Sequence, residues 1–288
     1  MNLLQSSCIF KGEIECNLCG RDRLRVIEND QRPYNVLKCK NCSLVFVYPH
    51  PDPTMLNSHY DNGYYKEWIA AQKRQRLRMW KKRLAKIRKD RQAGRLLDIG
   101  CGEGTFLALA QKEGWQIYGT EISAFASKYA TASLGTNIFC GDLLSTGFEE
   151  NFFDVVTMWH VLEHVSNPKR YLSEIHRILK PKGLLVLAVP NVNNIIFRIA
   201  YRIIKRRKVK LFTIGEKEVH LYHFSPNTLK DFLDRTGFDC ISLSPDFGII
   251  ETPKKLINLI AVLFFYLFRM QVFDATEIFA VPKRESNR

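Results

Sequence analysis

Residues 96–106 read Leu-Leu-Asp-Ile-Gly-Cys-Gly-Glu-Gly-Thr-Phe. The apolar residues predict a short strand that runs into glycines at alternate positions, Gly100, Gly102 and Gly104, and the apolar pattern after them predicts a helix. A strand, a glycine loop and a helix in succession are typical of a doubly wound α/β fold. Because glycine has no Cβ, such a loop brings the backbone close to a ligand.

The spacing of the glycines indicates which ligand the loop binds. In the dinucleotide pattern G-x-G-x-x-G the third glycine comes one residue later than Gly104, and here Asp98 stands two residues before the first glycine. A carboxylate at that position would repel a pyrophosphate and attract a cationic ligand with an amino group. The order D-x-G-x-G-x-G resembles motif I of the class I S-adenosylmethionine-dependent methyltransferases, whose cofactor carries a sulfonium and an α-amine.

The segments after the glycine loop resemble the same family. Residues 115–119 predict a second strand that leads into Glu121, and an acid there can accept hydrogen bonds from both ribose hydroxyls. Taken by itself, Glu121 equally fits a solvated acid at a helix start. Residues 138–143 predict a third strand and its exit loop, where Asp142 matches the aspartate that holds the adenine amino group in the family. The resemblance implies cofactor contacts at Asp98, Gly100, Cys101, Gly102, Gly104, Glu121, Ile122, Asp142, Leu143 and His160.

Strands and helices continue to alternate downstream. The almost wholly apolar run 153–159 predicts a strand covered on both faces, and a helix at 168–179 precedes a further strand at 183–191. The resemblance covers roughly residues 93–245. It implies an α/β fold, namely a Rossmann-like, doubly wound, mostly parallel seven-stranded sheet.

Three residues are candidates for acid–base chemistry during methyl transfer. His160 follows the strand 153–159 at the edge where such sheets bind ligands, and it is the first candidate for a base. His220, in a later loop, is the second candidate, and Glu163 is the third candidate catalytic residue. Each histidine equally fits a role in bonding the backbone or in positioning the substrate. The order His160-Val-Leu-Glu163-His164 is not H-E-x-x-H, which argues against a zinc metalloprotease.

Four N-terminal cysteines have the spacing of a zinc site. Cys16 and Cys19 form one C-x2-C pair, and Cys39 and Cys42 form another, as in zinc ribbons. Four thiolates complete the coordination of the ion, so we expect structural zinc, with His50 as a surface residue outside the site. The segment resembles the zinc-containing module that precedes many bacterial sugar and surface-polysaccharide methyltransferases.

These patterns predict three parts of the chain. Residues 1–60 form a small zinc-ribbon-like module, residues 61–92 a basic linker helix, and residues 93–288 the methyltransferase domain. Two insertions are expected in that domain. One is a substrate cover at 192–222, and the other is an apolar helix at 246–272.

The positive charge is concentrated in two segments. The chain carries a formal net charge of +14, and the linker helix and residues 198–210 hold most of the excess. In the linker, apolar residues at helical spacing predict that one face packs on the catalytic domain and the basic face meets water. Residues 195–210 suit an anionic membrane surface, RNA or a charged sugar nucleotide, and they equally fit a helix with a buried apolar side and solvated charges.

The run 256–268 is almost entirely apolar but too short to span a bilayer. It must pack against the protein, a second copy of the chain in a homodimer, or the headgroups of a membrane, in which case 254–270 and 195–210 would share that surface. The first ten residues lack the features of a signal peptide, so we expect a cytoplasmic protein, with the inner face of the cell membrane as a peripheral site.

The sequence therefore favours an S-adenosylmethionine-dependent methyltransferase with structural Zn2+, acting on a small-molecule, sugar or lipid-linked glycan acceptor. One alternative is an RNA methyltransferase that uses the basic helices and zinc module to bind phosphates. The chain lacks the Asn/Asp-Pro-Pro-aromatic signature of amino-group methylation, which makes nucleic acid the less favoured partner. The other alternative is a non-catalytic scaffold that keeps the fold.

Overall fold

The computed structural model of the chain describes residues 14–52, 73–215, 218–246, 252–268 and 270–283. Residues 1–13 and 53–60 of the predicted zinc module, and residues 61–72 of the predicted linker helix, lie outside the described residues. The elements in chain order are β1 (Leu24–Gln31), β2 (Tyr34–Cys39), β3 (Val45–Tyr48), α1 (Lys73–Asp90), β4 (Arg95–Ile99), α2 (Thr105–Lys112), β5 (Gln116–Glu121), α3 (Ala124–Leu134), β6 (Phe139–Cys140), a 3-10 turn (Leu143–Ser145), β7 (Phe153–Trp159), α4 (Pro168–Ile178), β8 (Leu179–Pro190), α5 (Ile195–Lys205), β9 (Tyr222–His223), α6 (Pro226–Arg235), β10 (Phe238–Pro245), α7 (Thr252–Phe268) and β11 (Ala275–Pro282).

The larger sheet has the strand order β10-β11-β8-β7-β4-β5-β6. Strands β4 to β8 pair in parallel, whereas β11 runs antiparallel to both β8 and β10. The predicted doubly wound, mostly parallel seven-stranded sheet is therefore confirmed. From β4 the chain first moves outward to β5 and β6, and it then returns to β7 and β8 on the other side. The carboxyl ends of β4 and β7 lie at this switch point, where open α/β sheets bind ligands.

The boundaries of two predicted elements differ in the structure. Strand β8 begins at Leu179, and the register against β7 shifts between Phe153 and Val155, so residues 180–183 form an irregular part of the strand. The sequence predicts this strand only from residue 183 onward, after a helix that reaches residue 179. The third strand of the motif is only two residues long because Gly141, with φ of 150°, turns the chain away.

Helix α1 packs on the catalytic domain with a face that is not wholly apolar. Leu84 and Ile87 are fully buried, as their spacing predicts. The expectation that the basic residues of this helix all face water is wrong for Arg76 and Arg83, which are each only 4% exposed. The guanidinium of Arg83 lies over the rings of Trp80 and Trp159. Asp246 pairs with Arg83 and Glu103 pairs with Arg76, so both buried charges are compensated. Helix α1 therefore places two buried guanidinium groups against the catalytic domain.

The smaller sheet joins the N-terminal module to the rest of the chain. Its strand order is β1-β2-β3-β9, and β9 pairs with β3 through Val45 opposite His223 and Phe46 opposite Tyr222. The rings of Phe46 and Tyr222 stack with centroids 6.1 Å apart. Side chains of the module and of the large sheet belong to one continuous buried cluster. The module is thus attached to the segment around residue 222.

Helices α5 and α7 lie against each other beside the carboxyl edge of the sheet. Helix α5 follows the end of β8, and α7 connects the end of β10 to the start of β11. The side chain of Ile196 packs on a small cluster formed by Ala261, Phe265 and Phe273. Other apolar side chains of both helices are exposed: Ile195, Ile199, Ile203, Ile204, Leu259, Ile260, Leu263, Tyr266, Leu267 and Phe268. In the described ranges, no helix is both long enough and apolar enough to cross a membrane.

Candidate active site

The glycine loop connects β4 to α2 and is covered by the turn that follows β7. Gly100, Gly102 and Gly104 all have positive φ, at 71°, 55° and 80°. A Cβ on Gly100 would lie 2.5 Å from Cγ2 of Val161. The turn at 160–164 can therefore close over the loop only because residue 100 has no side chain.

Asp98 lies directly beneath this loop at the end of β4. Its side chain is buried, and its Oδ1 accepts a hydrogen bond of 2.6 Å from the hydroxyl of Thr157 on β7. Burial raises the pKa of Asp98 to about 7, because the charged form is poorly solvated there. A cationic group beside Asp98 would stabilise the carboxylate, which fits the α-amine expected from the sequence.

Glu121, at the end of β5, holds the glycine loop in place. One carboxylate oxygen accepts from the amide of Gly102 at 2.9 Å, and the other accepts from the amide of Ser123 at 2.9 Å. The next residue, Ile122, is exposed beside it. A buried carboxylate next to an exposed apolar side chain suits a ligand with both polar and flat apolar parts.

The third acid, Asp142, follows β6. Its Oδ1 accepts from the amide of Leu144 at 2.7 Å, and Tyr171 donates a hydrogen bond to its other oxygen. Leu143 is buried in the core. Cys101 is buried as well, packed with apolar side chains as a small filler, and its thiol pKa is raised by burial.

His160 stands at the end of β7 in a left-handed backbone conformation with φ of 55°. Its amide donates to the carbonyl of Ala188 at 2.8 Å. Its Nε2 lies 3.2 Å from Oδ2 of Asp246, and its Nδ1 lies 3.6 Å from Oε1 of Glu163. Burial lowers the pKa of His160, but these two carboxylates outweigh that effect and raise the pKa to about 9. A pKa of about 9 favours the protonated ring at neutral pH, and the role of His160 as a base stays a prediction.

Asp246 also pairs with a cation from α1. Arg83 Nε donates to Oδ1 of Asp246 at 3.3 Å, and a second guanidinium nitrogen donates to Oδ2. Nearby, Arg76 pairs with Glu103 of the glycine loop at 3.6 Å. The linker helix thus contributes charges to both sides of the site.

Glu163, His164, His220 and His223 form a group beyond His160. The carbonyl of Glu163 accepts from the amides of Leu221 and Tyr222, which joins the turn after β7 to the segment before β9. Burial lowers the pKa of His220 to about 4 and that of His223 to about 3, so both rings are neutral at pH 7. The ring centroids of His164 and His220 are 4.9 Å apart.

The structure brings all four predicted zinc ligands together. The sulfurs of Cys16 and Cys42 are 3.4 Å apart, those of Cys19 and Cys39 are 3.6 Å apart, and all four lie within 4.8 Å of one another. Four sulfurs at such separations fit a tetrahedral ion with Zn–S bonds of about 2.3 Å. His50 is outside this group but not fully on the surface, since its ring packs against Tyr222 at 5.4 Å.

Several residues of the site were not predicted from the sequence. Thr157 is the buried polar residue of β7, whose other polar residue, Asp154, is only half-buried at the opposite end, and this is a signal that could have been used. Arg83 sits among the apolar positions of α1 and is only visible as a buried residue in the folded chain. Asp246 and Tyr171 reach the site through the packing of distant segments, and no local pattern marks them, whereas His223 lies in the same candidate loop as His220.

Comparison with known proteins identifies the fold family of this site. The family model described as "Methyltransferase domain" matches residues 69–243. An uncharacterized protein of Methanocaldococcus jannaschii is 41% identical over 101 residues, which are 35% of this chain and 43% of the relative. A demethylmenaquinone methyltransferase of Staphylococcus aureus is 33% identical over 116 residues, which are 38% of this chain and 48% of the relative. The chain is therefore aligned with less than half the length of each relative.

Two solved structures share the fold over most of the chain. One comes from the complex between the Haloferax volcanii Trm112 methyltransferase activator and a methyltransferase; it has a TM-score of 0.59 and 17% identity, and the match covers 81% of this chain and 100% of that one. The other is magnesium protoporphyrin IX methyltransferase from Synechocystis with bound S-adenosylhomocysteine, at a TM-score of 0.57 and 15% identity over 81% of this chain and 100% of that one. At these identities the likeness is one of fold.

Proposed function

Because the chain belongs to the methyltransferase domain family, we propose that it transfers a methyl group from S-adenosylmethionine to a small-molecule acceptor, of which a sugar or lipid-linked glycan is the favoured class. The observation that carries this proposal is the glycine loop at the sheet's switch point, with the acids Asp98, Glu121 and Asp142 beside it. Acids around a loop without side chains suit a cationic cofactor and disfavour a phosphate.

The residues around the loop fit the cofactor. Asp98 would hold the amino group, since a cation relieves the cost of its buried charge. Glu121 would accept from the ribose hydroxyls and Asp142 from the adenine amino group. The exposed Ile122 and the backbone at Leu143 would cover the adenine. The backbone from Gly100 to Gly104, including Cys101, would line the cofactor's amino-acid part. When bound, the cofactor supplies an activated methyl group, and the chain supplies binding, orientation and exclusion of water.

We place the acceptor next to the turn after β7. His160, fixed between Asp246 and Glu163, would orient a polar group of the acceptor rather than remove its proton. Glu163 and His220 remain the candidates for activating the attacking group. In-line transfer requires that group to approach the methyl carbon along the sulfur–carbon axis, which fixed neighbours on two segments can enforce.

The acceptor side borders a surface that suits an anionic membrane. The exposed isoleucines of α5 and the exposed apolar residues of α7 lie on neighbouring helices, and Ile203 is 72% exposed. Residues 198–210 hold seven Lys and Arg and no acid. Apolar side chains bordered by cations bind anionic lipid headgroups through both burial and charge. We therefore propose peripheral binding to such a membrane at the inner face of the cell, next to the acceptor side.

Labelled methyl transfer into fractionated lysate tests the acceptor class. The fractions are lipid, soluble sugar nucleotides, RNA and protein, and calorimetric titration with S-adenosylmethionine accompanies them. We expect cofactor binding and label in the lipid or sugar fraction. Label in RNA alone would favour the RNA methyltransferase, and absence of cofactor binding would favour the scaffold.

Vesicle sedimentation tests the membrane surface separately. We expect the protein to bind vesicles that contain phosphatidylglycerol and not to bind vesicles of pure phosphatidylcholine. The Ile203→Asp variant should lose binding to the phosphatidylglycerol vesicles. Ile241→Asp is the matched control, since Ile241 is an exposed isoleucine on strand β10 and belongs to neither helix. A concentration-dependent dimer that Ile203→Asp dissociates, without vesicle binding, would instead assign this surface to a second copy of the chain.

A further inference from the structure

A second group of metal-ligating side chains lies beside the acceptor side, apart from the four cysteines. Glu163, His164 and His220 each offer one ligand atom, and these atoms all lie within 4.8 Å of one another. Two separate segments supply them. The amides of Leu221 and Tyr222 donate to the carbonyl of Glu163 at 2.8 and 3.1 Å, so the backbone fixes the relative position of the segments.

The carboxylate of Glu163 is buried without hydrogen bonds. Its side chain is 1% exposed, and neither oxygen has a hydrogen-bond partner among the residues that the structure describes. His160 Nδ1 is 3.6 Å from Oε1, which is beyond hydrogen-bond distance. The ring of His160 offsets part of this charge, and a bound cation would supply the direct contacts that both oxygens lack.

The tautomer of His164 fits a metal ligand. Its Nδ1 lies 2.8 Å from the carbonyl oxygen of Val219. Because a carbonyl only accepts, Nδ1 carries a proton, and the tautomer that this hydrogen bond selects has its lone pair on Nε2. Histidines that bind metals commonly donate their other N–H to a backbone carbonyl, which orients the ring.

We propose that Glu163, His164 and His220 bind a divalent transition-metal ion, such as zinc or iron(II), and that this ion activates a hydroxyl of the acceptor. Two imidazoles and one carboxylate are a donor set that such ions accept, and three protein ligands leave coordination positions open to the acceptor. The ion's role in catalysis rests on the methyl transfer proposed above, whereas its binding does not.

The chemistry balances without a further reactant. The ion lowers the pKa of the acceptor hydroxyl, whose O–H bond breaks and whose proton passes to water. An oxygen lone pair forms the new O–CH3 bond while the S–CH3 bond breaks. The sulfonium thereby becomes the neutral thioether of S-adenosylhomocysteine. No atom changes its oxidation state in a way that needs an external oxidant or reductant.

Cobalt(II) chloride is the probe for this site in the full chain. Cobalt bound by thiolates gives an intense sulfur-to-metal charge-transfer band, and cobalt bound by Glu163 and the two histidines does not. The protein is first treated mildly with EDTA. We then expect calorimetry to show that one equivalent of cobalt binds, without any increase in the sulfur-to-metal charge-transfer band. Glu163→Gln and His220→Asn should each lower the affinity for this cobalt ion by about 100-fold or more. Replacing a residue that only hydrogen-bonds to a metal ligand typically lowers metal affinity by about 10- to 100-fold.

His176→Asn is the matched control. This histidine is also partly buried, but it packs against Phe238 on another part of the chain and should leave cobalt binding unchanged. Near-UV circular dichroism checks the fold of each variant. If Glu163→Gln or His220→Asn unfolds, His164→Gln is used in its place. Wild-type protein that binds no such equivalent, or variants that retain it, would overturn the proposal. Loss of S-adenosylmethionine binding in the same samples would instead overturn the proposed function.

Discussion

The two halves of the proposed site satisfy their polar groups in different ways. We assign the glycine loop with Asp98, Glu121 and Asp142 to the cofactor half, and the turn at 160–164 with the segment 219–223 to the acceptor half. In the cofactor half, Asp98, Glu121 and Asp142 each accept hydrogen bonds from groups on the central strands and their loops. In the acceptor half, Glu163 depends on the segment around residue 220, and Asp246 depends on α1. The three acids of the cofactor half are thus held within one unit of the fold, although α1 also reaches the glycine loop through the pair of Arg76 with Glu103. The acceptor half needs both the N-terminal module and the linker helix to be in place.

We propose that the four clustered cysteines bind structural zinc, and removing one of them should have the largest effect on the acceptor half relative to the cofactor half. Structural zinc contributes about 10 kcal/mol or more to folding of such segments, so Cys39→Ser should unfold the module and release β9. We expect hydrogen exchange at 219–224 to increase and methyl transfer to be lost. Affinity for S-adenosylmethionine should change by only about twofold, because the hydrogen bonds described for Asp98, Glu121 and Asp142 come from groups outside the module.

Cys240→Ser is the control for this experiment, because Cys240 lies on β10, apart from the four clustered thiols. It should leave hydrogen exchange and methyl transfer unchanged. A parallel collapse of cofactor affinity in Cys39→Ser would show that the two halves are not independent.

Asp246→Asn should give the next largest effect. The change leaves the buried guanidinium of Arg83 without its carboxylate, at a cost of about 3–5 kcal/mol in the free energy of unfolding. Urea denaturation measures this. The exposed pair of Asp234 with Lys283 is the control, and Asp234→Asn should cost at most about 1 kcal/mol. Equal losses in the two variants would mean that burial of the first pair does not matter.

Asp98→Asn should weaken cofactor binding while leaving the acceptor half intact. The amide oxygen can still accept from Thr157, but the charge that faces the amino group is lost. We expect affinity for S-adenosylmethionine to fall by about 2–3 kcal/mol, roughly 30- to 150-fold, in calorimetry. Asp154→Asn, at the opposite end of β7, should have no effect on this affinity. Unchanged affinity in Asp98→Asn would remove this residue from the cofactor site.

The smallest effect is on the pH dependence of cofactor binding. The pKa of Asp98 is raised to about 7 in the free protein, and a cationic ligand lowers it, so binding below pH 7 must expel a proton. Affinity should therefore fall by about tenfold for each pH unit below 7 and level off above it. Titrations between pH 5.5 and 8 measure this slope, and Asp98→Asn should abolish it. A wild-type affinity that is flat over this range would contradict the assignment.

The sequence predicts the cofactor half of the site and the four cysteines better than it predicts the acceptor half. The strand before the glycine loop, the apolar strand 153–159 and the acid at Glu121 are local patterns, and the structure places them as expected. The four cysteines are equally local, because each C-x2-C pair brings two sulfurs to one turn. These features depend on neighbours in the chain, which a sequence displays directly.

The acceptor half could be predicted only in part. His160, Glu163 and His220 stood out as single residues, but their arrangement depends on contacts between segments far apart in the chain. Arg83 looked like one more solvated charge of a basic helix, although its charge is buried against Asp246. Such pairs form through tertiary packing, which propensity and spacing do not encode.

Strand β9 has only two residues, yet it has a consequence for solubility when the module unfolds. It places Tyr222 in a buried cluster that also contains Phe46 of the module and Leu97 of the central sheet. Unfolding of the module would therefore uncover apolar side chains that the large sheet shares with it. The Cys39→Ser protein should accordingly self-associate at high concentration through these uncovered rings while its large sheet stays folded.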